Sequence, residues 1–166
     1  MSESFQAIAA ALAAPAQPDA CFAALDAALQ REVGHRFLTM LVYRWEEGVA
    51  ERLYSSRPEL YPARGRKTFA EAPTQRRVAE TREPYIGHDA EDIRRDFPDH
   101  AKIFALGCES ILNMPVVWAG RALGQVNLLH EANHYGPRHL PIVRGLVQAC
   151  IPAFLIADAP PKETSP

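Results

Sequence analysis

The sequence has few cysteines, no excess of either charge and no long apolar run, and each shortage excludes something. Its 166 residues include three cysteines, Cys21, Cys108 and Cys150. They are odd in number and match no metal-ligand spacing, which argues against a disulfide framework and a cysteine-built zinc site. Reduced thiols in a cytoplasmic protein are the expectation. Lys and Arg total 18 against 20 Asp and Glu, a formal net charge of −2. Without a basic excess there is no electrostatic footprint for a nucleic-acid partner. Short basic groups, such as Arg64, Arg66 and Lys67, have acids close by and read as solvated surface. No run approaches the roughly 18 apolar residues of a membrane span. The Ala-rich start has no basic n-region and is interrupted by Glu3 and Gln6, so it makes a poor signal peptide.

Hydrophobic residues make up 48% of the chain, enough for the core of one domain of this length. Residues 1–18 are expected to hold an N-terminal helix, capped by Ser4 and stopped by Pro15 and Pro18. Its stripe of Phe5, Ile8, Ala9 and Leu12 is a candidate dimer interface. Residues 19–157 are expected to form a single domain, and residues 158–166 a disordered, Pro-rich tail. Asp19 is a candidate cap for a second helix, with Phe22, Leu25, Leu29 and Val33 as its buried stripe and Gly34 at its end.

From Phe37 the period changes. Phe37–Trp45 is β-branched and aromatic on both faces, as a central strand is. Glu46-Glu47-Gly48 makes a turn, and Val49–Ser55 alternates, so the two form a hairpin. That alternation puts Val49, Leu53 and Ser55 on one side and Ala50, Arg52 and Tyr54 on the other. Residues 56–106 are broken by prolines into short pieces, the usual composition of a lid or pocket wall. A second hairpin joins Ser110–Val117 to Ala122–His130. It puts Ile111, Asn113 and Pro115 on one face of its first strand, and Leu123, Gln125, Asn127 and Leu129 on one face of its second. Pro115 needs an unpaired edge or a bulge. Gly136-Pro137 opens a closing helix that Pro152 should kink. This order of elements predicts an α+β fold: a central antiparallel sheet with helices on one face and a pocket-forming irregular segment on the other.

The second hairpin carries a resemblance. Ser110, Pro115, Gly120 and Gly124, set among the apolar runs Ile111–Val117 and Ala122–Leu128, resemble the signature half of the GAF domain family. The closing helix and the first hairpin fit the same order, so the likeness spans about residues 19 to 157. The resemblance implies a five- or six-stranded antiparallel sheet with a pocket for cyclic nucleotides, bilins, haem or small metabolites. It also implies dimerisation through terminal helices in many members, so a homodimer is expected here. With 166 residues taken up by one domain, any output partner is expected to be a separate protein.

No catalytic residue and no metal ligand is assigned, and the cofactor is left unknown. His130-Glu131-Ala132-Asn133-His134 fits H-E-x-x-H, but a zinc peptidase needs both histidines on one helix face. Here a strand precedes the motif and Gly136-Pro137 closes it. One GAF subfamily reduces free methionine sulfoxide with a nucleophilic cysteine, and Cys108 stands near the corresponding region. That thiol enzyme is the alternative function, and a structural dimerisation module is the second. Cys21 and Cys150 fall on core stripes. Cys108 lacks the adjacent His of a bilin site, and no Asn-Lys-Phe-Asp-like run of the cyclic-nucleotide binders is present. The leading expectation is a sensory, signalling domain for an unidentified small molecule. Its candidate ligand-binding residues are Tyr43, Tyr54, Tyr61, His88, Asp89, Cys108, Asn113 and Asn127. The tyrosines offer aromatic walls with hydroxyl handles. The two asparagines are amides inside apolar strands, where burial demands a partner.

Overall fold

The computed structural model describes residues 2–159. The chain runs α1 (Glu3–Leu12), α2 (Asp19–Glu32), β1 (Phe37–Arg44), β2 (Val49–Ser55), β3 (Arg66–Thr68), α3 (Pro73–Thr81) and β4 (Tyr85–Gly87). It continues with α4 (Ala90–Asp96), α5 (His100–Ala105), β5 (Ser110–Trp118), β6 (Arg121–His130), α6 (Leu140–Ala149) and α7 (Ile151–Asp158). Of the tail expected over 158–166, Asp158 closes α7, and residues 160–166 lie outside the described residues.

The six strands form one antiparallel sheet in the order β3-β2-β1-β6-β5-β4. This is the α+β architecture the sequence predicts. β1 and β6 lie at its centre, which is why their residues are buried on both faces. One face packs on the long helices. Leu38, Met40, Met114 and Val126 meet Phe22, Leu25 and Leu29 of α2 and Val143, Val147 and Phe154 of α6 and α7. The other face is covered by the segment between the hairpins. There Phe37, Ile111 and Leu129 pack against Val78, Ile93, Phe97 and Ile103. Helices therefore lie on both faces, α1, α2, α6 and α7 on one and α3, α4 and α5 on the other.

Two β-bulges correct the expected strand faces. Met40 pairs with Tyr54 and Leu41 with Arg52, so Leu53 is an extra residue on β2. Arg52 consequently turns to the far face with Leu41, while Tyr54 stays on the helix side with Met40. Val116 pairs with Gly124 and Val117 with Ala122, so Leu123 is extra on β6. It joins the helix-side core instead of the face of Gln125 and Asn127. Pro115 behaves as expected: β4 pairs only with Ile111, Leu112 and Asn113, so the outer edge of β5 has no strand partner there.

The helix ends bring smaller corrections. Ser2, not Ser4, caps α1. The hydroxyl of Ser4 is buried and donates to Glu32 at 2.6 Å, tying α1 to α2. Asp19 is the first residue of α2, and Pro18 precedes it as the cap position. The closing helix is broken, not merely kinked, with a 54° bend at Cys150. Pro152 stands in the first turn of α7, where its missing N–H leaves no bond unmade. The α1 stripe packs within the chain: Ile8 is buried and Phe5 and Leu12 lie against the same core. No single helix is long and apolar enough to cross a membrane among the described residues.

Gly124 of β6 lies against the backbone of β1 at Leu41 and Val42. A Cβ at this position would stand 1.9 Å from the Leu41 carbonyl oxygen, a backbone atom that cannot swing aside. Gly124→Ala is expected to lower stability by at least about 3 kcal/mol, read as a lower denaturant midpoint.

Candidate functional site

Between the sheet and the covering segment lies a cavity of about 400 Å³. Its floor comes from the far faces of the four inner strands. Thr39 on β1, Asn127 on β6 and Asn113 on β5 are direct register partners, so the three stand side by side in one row. All three are buried, as is Gln125 two residues before Asn127 on the same face. Their hydrogen bonds converge on Asn127. The Tyr43 hydroxyl donates to Gln125 Oε1, and Gln125 Nε2 donates to Asn127 Oδ1. Asn113 Nδ2 donates to the same Oδ1 at 2.6 Å, and Asn127 Nδ2 donates to Thr39 Oγ1 at 3.0 Å. The Tyr43 phenol is held neutral, because burial pushes its pKa well up.

This chain uses every amide group of Asn127 but leaves Asn113 Oδ1 without a partner among the described residues. Asn113 is only 1% exposed and lines the cavity. A buried acceptor left unsatisfied costs on the order of 1–3 kcal/mol. On the same strand faces, Phe37, Leu41, Ile111 and Leu129 flank the polar row and supply apolar lining. At the rim, Arg52 donates from Nη1 to the Pro62 carbonyl at 3.0 Å and lies over the Tyr61 ring at 5.3 Å. Burial lowers its pKa somewhat, and the Tyr61 phenol opposes that. Lys67 of β3 reaches Asp99, at the start of α5, in a close ion pair. Both residues line the cavity, so this pair ties one wall to the other.

The structure brings some of the expected residues together and leaves others apart. Tyr61, Asn113 and Asn127 line the cavity, and Tyr43 reaches its floor through Gln125. Tyr54 is on the opposite side of the sheet, where the Leu53 bulge puts it. It donates to Asp26 Oδ2 at 2.6 Å, and His35 Nε2 lies 2.7 Å from the other oxygen of Asp26. His88 is exposed and pairs with Asp92. Asp89 caps α4 by accepting from the N–H groups of Glu91 and Asp92. Cys108 is fully buried beside Ile103 and Leu129, outside the cavity lining, and burial pushes its thiol pKa up. Cys21 and Cys150 lie in the helix-side core, as their stripes predict. Sequence reasoning missed Thr39, Arg52, Gln75, Lys67, Asp99 and Lys102 as lining residues. Thr39 alone left a usable signal, as a hydroxyl within an otherwise apolar strand.

The H-E-x-x-H histidines stack instead of converging. Their rings are 3.6 Å apart and nearly parallel, whereas ligands of one ion aim their lone pairs at a common point. His134 Nε2 donates to the Val33 carbonyl at 2.7 Å, and His130 Nδ1 accepts the Glu131 N–H at 2.8 Å. The motif is therefore a brace between the end of β6 and the end of α2. Burial lowers the pKa of His130, helped by His134 and Arg36 nearby. Burial also lowers that of His139, whose ring lies near His134.

No protein-family model matches the sequence, and no curated protein matches it. Solved structures do match the fold. A GAF domain from a phosphoenolpyruvate-protein phosphotransferase of Coxiella burnetii is 16% identical at a TM-score of 0.76, covering 93% of this chain and 92% of that one. The corresponding Acinetobacter GAF domain is 12% identical at 0.72, covering 95% and 96%. Free methionine-R-sulfoxide reductase from Neisseria meningitidis is 14% identical at 0.70, covering 93% and 90%. The likeness shows the fold, which is that of the GAF domains.

Two outcomes are expected. Asn127→Leu strands donors on Asn113 and Gln125 and takes the donor from Thr39 Oγ1, and should cost about 2–4 kcal/mol by denaturant titration. Asn113→Leu removes the orphaned acceptor with one bond, and should stay within about 1 kcal/mol of the parent. Second, His130 and His139 hold protons less tightly folded than unfolded. Their contribution to stability is full above the unfolded value near 6.5 and is lost as pH falls through the lowered folded values. The denaturant midpoint should drop on going from about pH 7.5 to about pH 5.5, and less so in His130→Gln.

Proposed function

We propose that this GAF-fold chain is a sensory domain that binds a small metabolite in the cavity between the sheet and residues 56–106. The observation that supports this most is the polar floor. Amides cost free energy when carried into an apolar sheet, and a fold that needs only packing has no use for three of them, Asn113, Gln125 and Asn127, in one buried patch. The network satisfies itself except at Asn113 Oδ1, which lines the cavity. A ligand donor is the simplest partner for that atom. The cavity volume of about 400 Å³ lies within the range of small-molecule sites. Several neighbours of the same fold are sensor modules by description, including a GAF domain of a two-component sensor histidine kinase. A change in association with a second copy, or with a separate output protein, would carry the response.

The thiol-enzyme reading has less support. Among the described residues no cysteine lines the cavity. The Cys108 thiol is buried and its pKa is raised, the opposite of what a nucleophile requires.

Thermal unfolding against a metabolite panel tests the proposal. A true ligand at about 100-fold over its Kd should add about 2.7 kcal/mol, a shift of several degrees in Tm. Asn113→Leu should keep the unliganded Tm and lose that shift. A correctly folded protein stabilised by no compound would leave only a scaffold.

A further inference from the structure

We infer that the cavity is built for a small organic anion, a carboxylate or phosphate, that carries a hydrogen-bond donor at its other end. This rests on the binding role proposed above and specifies its chemistry. Three lining side chains keep a buried polar atom without a partner: Asn113 Oδ1, Gln75 Oε1 and Arg52 Nε. The first two are acceptors and call for a donor. The third is a donor on a cation and calls for an acceptor.

The charges lining the cavity point the same way. Four basic residues, Arg52, Arg66, Lys67 and Lys102, stand there against one acid, Asp99. Arg66 is neutralised by Glu47 and Glu51, each at 2.6 Å, and Lys67 by Asp99. Arg52 and Lys102 have no carboxylate within ion-pair distance among the described residues. Glu51, the sequence neighbour of Arg52, is already engaged by Arg44, Arg64 and Arg66.

The geometry of Arg52 suits an oxyanion. Its Nη1 is spent on the Pro62 carbonyl and its face on Tyr61. The Nε–Nη2 edge is left over, and that edge matches two oxygens of a carboxylate or phosphate. Gly65 packs flat against this group: a Cβ there would stand 2.7 Å from Nη1. Arg52 is on β2 and Asn113 on β5, three strand spacings apart, about 14 Å. Both residues line the cavity, so a ligand on the order of 10 Å long spans the two ends. Between them the walls are Phe37, Leu41, Ile111 and Leu129, which fit an apolar body.

A ligand-observed NMR screen of a fragment library tests this, with a matched series at its core. The series is para-hydroxyphenylpropionate, its propyl phosphate counterpart, para-methylphenylpropionate (no donor) and para-hydroxyphenylpropionamide (no anion). Binding at least about tenfold tighter for the anions with a donor is expected, and the carboxylate and phosphate members separate the two anion sources. Arg52→Gln should erase the preference for anions and Arg52→Lys should keep part of it. Asn113→Leu should erase the preference for the donor. Neutral fragments binding equally well, anions unaffected by Arg52→Gln, or no member of the series binding, would each overturn the inference. If neutral compounds bind in the cavity, the sensory reading survives without it. If neither library nor metabolite panel yields a binder, both fall.

Discussion

Strands β1 and β6 pass so close at Gly124 that no side chain fits between that residue and the Leu41 carbonyl. Everything else is arranged around this central pairing. It joins two hairpins that are far apart in sequence into one sheet. Because both strands are buried on both faces, the sheet needs cover on each side. The long helices supply one cover through Phe22, Leu25, Val147 and Phe154. The segment between the hairpins supplies the other, and it lies less tightly. The cavity is the gap it leaves.

The same pairing puts Thr39, Asn127 and Asn113 in one row. A one-residue slip between β1 and β6 would turn the amides of β6 into the helix-side core, where nothing polar waits. The buried network therefore penalises wrong registers as well as flooring the cavity. It also concentrates risk. The Asn127 side chain hydrogen-bonds Asn113, Gln125 and Thr39 at once, whereas among the described residues the Asn113 side chain hydrogen-bonds Asn127 alone. Stability rests on the first amide, and the second faces the cavity with an acceptor to spare. That division of labour suits the proposed binding site, since the group proposed to meet a ligand is the one whose loss should cost the fold least.

Much of the architecture was legible from local chemistry. The apolar stripe of α2, the Gly48 turn and both hairpins follow from periodicity and turn residues, and the structure has them at those places. Asn113 and Asn127 were legible as site candidates because amides stand out in apolar strands. Arg52 and Tyr54, which plain alternation puts on one side, lie on opposite faces, since one extra residue at Leu53 shifts the alternation and nothing in the sequence marks a bulge there. His88, Asp89 and Cys108 were drawn in by residue type. Their surroundings (an ion pair, a helix cap and a buried apolar pocket) engage them elsewhere.

The sequence by itself determined which segments become helix or strand, because period, proline and glycine act within a few residues. It also determined that two amides would be carried into an apolar sheet. Only the tertiary structure decided which face each residue meets, since register and bulges depend on strands about 90 residues apart, as Thr39 and Asn127 are. It alone decided that Arg52, Gln75 and Asn113, on three separate elements, border one cavity with unmatched polar atoms. Hydrogen-bond partners are matters of distance in space, and chain order does not set them.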